Sequence, residues 1–76
     1  MEKMIDESIK IDISVLPVSV QDIIHELEIL NEKEDWFSYD LKFYELESHA
    51  KIYIFDGKIS EKTYTKLLEK YGRLYD

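Results

Sequence analysis

The longest coherent pattern in the chain is a pair of apolar rows in residues 36–55, WFSYDLKFYELESHAKIYIF. Trp36, Tyr39, Phe43, Leu46, Ala50 and Tyr53 recur at alternating steps of three and four, the spacing that aligns side chains along one side of an α-helix. The pattern predicts a helix over about 36–56. A second, narrower row, Phe37, Leu41, Tyr44 and Phe55, is placed about a third of a turn away, so this helix has apolar surface for two neighbours. It is therefore expected at the centre of the fold. One row should take a first helix; the other should take a third helix, a second subunit or a foreign partner.

Upstream, the period changes. Ile9, Ile11, Ile13 and Val15 alternate with Lys10, Asp12 and Ser14, the two-residue repeat of a strand with one buried face. No second strand pattern accompanies it, so a strand over 9–15 needs a partner for its backbone groups. Pairing with its own copy across a two-fold axis supplies one, which makes Ile9, Ile11, Ile13 and Val15 candidate dimerisation residues. Residues 1–7 are charged and aperiodic and read as a flexible, frayed terminus.

Pro17 ends the strand pattern, and a first helix is expected over about 20–31. Ser19 is its candidate N-cap with Asp22 three residues on, and Val18 and Ile23 occupy the positions of a hydrophobic staple. Val20, Ile23, Ile24, Leu27 and Leu30 form the buried stripe, with Ile29 on the opposite side. The connection over 31–35 is short enough to return the central helix antiparallel to the first. Gly57 is placed to close the central helix in the left-handed conformation. A third helix is expected over about 60–72, with Ser60 as cap and Ile59 stapling to Tyr64. Tyr64, Leu67, Leu68, Tyr71 and Leu74 form its apolar face, and Gly72 marks where it frays. The expected fold is mainly α, three helices plus the short strand, in a single domain over 1–76.

Composition sharpens this picture. A chain of 76 residues buries only about 60 % of its unfolded surface, and without cysteine no disulfide can staple it. Aromatic packing and dimerisation are the remaining sources of stability. Neither a signal-peptide pattern nor an apolar run long enough to span a membrane is present, so a cytoplasmic location is expected.

The net charge of −7 is unevenly spread. Residues 21–35 carry six acids, Asp22, Glu26, Glu28, Glu32, Glu34 and Asp35, against the single base Lys33, whereas residues 58–76 carry a basic excess. Two readings follow: solvated arms that attract each other, or an acidic face meant for a basic partner.

Two resemblances can be placed on these residues. The order strand, Leu16–Pro17, helix, short turn, longer helix over 9–55 resembles the ribbon-helix-helix family of dimeric DNA-binding repressors and antitoxins. That likeness implies a ribbon whose outward residues, here Lys10, Asp12 and Ser14, face the major groove, and a second helix whose N-terminus meets phosphate. Asp12 stands where a base-reading donor is expected, and Glu32, Glu34 and Asp35 would repel phosphate, so direct nucleic-acid binding is not expected. Separately, DWFSYDLKFYELE followed by DGKISEKTYTKLLEKYG resembles short proteins encoded by phages and mobile elements of Gram-positive bacteria, which implies an accessory or inhibitory role.

Catalytic constellations are sparse. Glu45 with His49 and His25 with Glu28 each lie within one helical turn, but two ligands do not make a zinc site, and neither a third histidine nor a cysteine is available. No nucleophile–base pair and no glycine-rich phosphate loop stand out. The expectation is a non-enzymatic protein-interaction protein without metal or cofactor. Its candidate partner-binding residues are the six acids of 21–35, which could compete for a basic nucleic-acid-binding groove, together with Phe37, Leu41 and Tyr44. A dimeric ribbon-helix-helix regulator is the alternative.

Overall fold

The structure, a computed structural model, describes residues 4–72; residues 73–76, with Leu74 of the expected third-helix face, lie outside them, as do residues 1–3 of the expected flexible terminus. Three helices carry the fold: α1 (Val18–Lys33), α2 (Trp36–Phe55) and α3 (Glu61–Tyr71). At 1.5 Å per residue α2 is about 30 Å long and sets the 36 Å long dimension of the molecule. α1 packs antiparallel along most of α2, and α3 covers a shorter stretch. The core joins Val20, Ile23, Ile24 and Leu27 of α1 to Tyr39, Phe43, Leu46 and Ala50 of α2 and to Leu67 and Tyr71 of α3. All four buried residues of α2 belong to the row that steps by three and four, and Trp36 and Tyr53 of the same row pack partly buried at its ends.

The helix ends follow local chemistry, with two departures. Ser60 caps α3, its hydroxyl accepting from the Thr63 N–H at 3.1 Å, and Asp35 caps α2 by accepting from the Ser38 N–H at 3.3 Å. Gly57, at φ +75°, closes α2 while the Lys58 N–H donates to the Tyr53 carbonyl. Ser19 does not cap α1. The helix starts two residues earlier, where the Pro17 carbonyl accepts from the N–H groups of Val20 and Gln21, and the Ser19 hydroxyl instead meets the Tyr53 hydroxyl at 2.8 Å. Val18, expected to staple onto Ile23, is consequently exposed. Gly72 is not a point of fraying either: it is buried, and a Cβ there would come within 2.5 Å of the Phe43 ring.

At the other end of α1, Glu34 adopts φ 57° so that its own N–H and that of Asp35 reach back to the carbonyls of Asn31 and Leu30. A side chain in this left-handed position costs roughly 1 kcal/mol that glycine avoids. Glu34→Gly is accordingly expected to stabilise the fold by about 0.5 kcal/mol, after the extra entropy of the unfolded glycine is deducted. A urea midpoint unchanged or lowered at constant slope would contradict this.

No β-strand occurs among the described residues. Residues 9–12 run without regular structure into a 3-10 turn at Ile13–Val15, whose first turn is held by Asp12 accepting from the Ser14 N–H and hydroxyl. The alternation nevertheless marks a buried side, because Ile11 and Ile13 pack against the chain's own core while Lys10, Asp12 and Ser14 are exposed. Val15 breaks the pattern and points to solvent. Ile9, Ile11, Ile13 and Val15 therefore do not lie on the expected strand in the single chain described. A strand needs a ladder partner; this segment finds a core instead.

The reading of residues 1–7 as frayed also fails for its described part. Met4 and Ile5 are buried in the core, and the Met4 N–H donates to Oδ1 of the buried Asn31 at 3.1 Å. The Asp6 N–H donates to the Lys70 carbonyl at 2.7 Å, while Lys70 Nζ donates back to the carbonyls of Asp6 and Ile9 at 3.2 and 2.8 Å. The N-terminal segment is thus a strap tied across the end of α3.

Candidate interaction surface

The second row of α2 is not covered by the described residues. At about 100° per residue, Phe37 and Tyr39 are separated by about 200°, so the two rows lie on opposite sides of the helix, half a turn apart rather than a third. α1 and α3 both pack on the Tyr39 side. The Tyr39 hydroxyl donates to the Tyr71 carbonyl at 2.6 Å, Phe43 closes over Gly72, and Tyr53 reaches Ser19. The short 56–60 turn lets α3 fold back on α2, and Ile59, Leu67 and Tyr71 can all be buried only in the core that α1 has begun.

The uncovered face runs the length of α2. Phe37, Leu41, Tyr44, Ile52 and Phe55 are between 57 % and 87 % exposed and share one stripe with Ser48, at steps of four, three, four, four and three. From Phe37 to Phe55 the stripe extends about 27 Å. The apolar row identified in the sequence omitted Ile52, since that residue reads as part of the run Ile52–Phe55; admitting the small Ser48 to the stripe would have included it. Beside Leu41, Lys42 Nζ bridges Glu26 of α1 at 3.2 Å and Glu45 at 3.0 Å. The hydrogen bond to Glu45, then that to Glu26, raises the Lys42 pKa. Glu26, Leu30, Ser38, Leu41, Lys42 and Glu45 line a shallow depression of about 320 Å³ along this edge.

The six acids of 21–35 do not form one face. Asp35 is the cap of α2, Glu34 terminates α1, and Glu26 is held by Lys42. Asp22, Glu28 and Glu32 are exposed on α1, but Glu28 is turned about 120° from Asp22, towards the α3 end where it acts on Tyr71. Burial first, and then the charges of Glu28 and Glu7, push the Tyr71 phenol well above its ordinary value. The smaller upward shift of Tyr64 also comes from burial first, then from Glu47.

Of the histidines, His49 Nδ1 lies 2.9 Å from the Glu45 carbonyl, which fixes Nδ1 as the donor because a carbonyl only accepts. Among the described residues no group of three or more His, Cys, Asp and Glu is arranged to hold a metal ion. Nor is any described helix long and apolar enough to cross a membrane. Comparison with known protein families, characterised proteins and solved structures gives no match. The surface chemistry of α2 therefore carries the functional reading.

Proposed function

We propose that this chain is a non-enzymatic interaction protein that works by binding another polypeptide through the outer face of α2. The supporting observation is the stripe itself: five large apolar side chains, three of them aromatic, exposed on one side of one helix. Together they present roughly 600 Å² of apolar surface, at the upper end of the largest patch on an ordinary monomer. Aromatic residues are also the types enriched at the centres of protein interfaces. A net charge of −7 disfavours anionic lipid and nucleic acid as occupants, since both would be repelled. Imitation of nucleic-acid phosphate by the acids of α1 has less support, because Glu26, Glu34 and Asp35 have roles within the fold.

The test is photo-crosslinking in cells, with a photoreactive side chain at Leu41 and a control at Lys62 on the exposed part of α3. Adducts to a polypeptide are expected from position 41 at a yield roughly tenfold above the control. Equal yields from the two positions would reject the reading.

A further inference from the structure

Building on the reading of this face as a binding surface, we infer that its occupant is a second copy of this chain, packed antiparallel, α2 against α2. A two-fold interface requires a patch complementary to itself, and the stripe meets that condition about its midpoint. With the axis at the level of Leu46, Phe37 of one copy stands opposite Phe55 of the other, and Tyr44 stands opposite Ser48. Leu41 and Ile52 differ from the same level by one residue, about 1.5 Å. The small Ser48 leaves room for the Tyr44 ring and offers its hydroxyl a hydrogen-bond partner at the point where the helices come closest, about 8–10 Å between axes.

The parallel alternative fits less well, because it would face Tyr44 with Tyr44 and Ser48 with Ser48, the first crowded and the second across a void. The area is also sufficient: roughly 1,200 Å² is removed from water in the pair, the lower edge of specific interfaces.

The experiment combines mass with geometry on the 76-residue chain. Light scattering across about 1–300 µM is expected to show a monomer giving way to a dimer, and Leu41→Glu is expected to weaken dimerisation roughly 100-fold or more, because the substitution enters the interface twice. Leu41 is exposed in the single chain, so the helical circular dichroism of the variant should match wild type. Since the chain has no native cysteine, orientation can be read directly. Leu41→Cys mixed with Ile52→Cys should form a mixed disulfide dimer, while neither alone should crosslink, their symmetry mates being about 15 Å or more apart along the helix axis. A monomer throughout the range, a dimer indifferent to Leu41→Glu, or Leu41→Cys crosslinking to itself would overturn the inference. Failure here is separable from failure of the interaction reading: adducts at position 41 consisting only of a foreign polypeptide would reject the second copy and leave the binding face standing.

Discussion

Tyr39→Ala is expected to lower the stability of the fold by about 3–5 kcal/mol, a large part of the roughly 4–11 kcal/mol available to a domain of this size. The residue is fully buried, stacks edge-on with Trp36 at 6.1 Å, and donates from its hydroxyl to the Tyr71 carbonyl. That carbonyl lies in the last turn of α3, where backbone acceptors have no partner within the helix. Tyr39 therefore both fills the core and caps the helix packed on it. Tyr39→Phe separates the two effects, since the ring stays and the Tyr71 carbonyl loses this donor. Its expected cost is about 1–2 kcal/mol. Urea titrations of both variants check the pair, and a phenylalanine variant as unstable as the alanine one would show that the hydroxyl, not the ring, dominates.

Ile5→Asp is expected to destabilise by about 3 kcal/mol through a different mechanism. An unpaired carboxylate cannot stay among Met4, Leu16 and the helices, so the strap should leave the core, and the cost is limited to the free energy of docking that segment. Lys70→Met should cost about 1–2 kcal/mol, because the carbonyls of Asp6 and Ile9 lose a charged donor. Once Ile5→Asp has released the strap, Lys70 has nothing left to hold. The double variant should therefore be no less stable than Ile5→Asp alone, within about 0.5 kcal/mol. Fully additive costs would mean that the strap does not undock as a unit.

Much of the helical layout could be read in advance because it rests on signals that repeat. The alternating steps from Trp36 to Tyr53 name the buried side of α2, the capping role of Ser60 follows from local hydrogen bonding, and Gly57 supplies the left-handed residue. The N-terminal segment escaped for a physical reason. A two-residue period reports which side of an extended chain meets something apolar, and it is silent on whether the backbone finds a ladder. Ile11 and Ile13 meet a core, and Asp12 turns the chain before a ladder could extend. Met4 and Ile5 are only two residues, too few to show any period, yet both are buried. For the candidate surface, Phe37, Leu41 and Tyr44 were legible as apolar and helical. Their lack of cover was not, since it depends on α3 choosing the side already occupied by α1.

The strap also orders events along the folding path. α1 and α2 are joined by two residues and can zip together early, as neighbours in sequence do. The hydrogen bonds between Lys70 and Asp6 close a loop of 64 residues, and their acceptors stay without this donor until α3 exists. On a ribosome, Met4 and Ile5 are made before the helices that bury them and are among the last residues of this core to be covered. The strap, made before the three helices, is thus the keystone set after the arch, and the interval before it is set is when the partly folded chain is most exposed to aggregation.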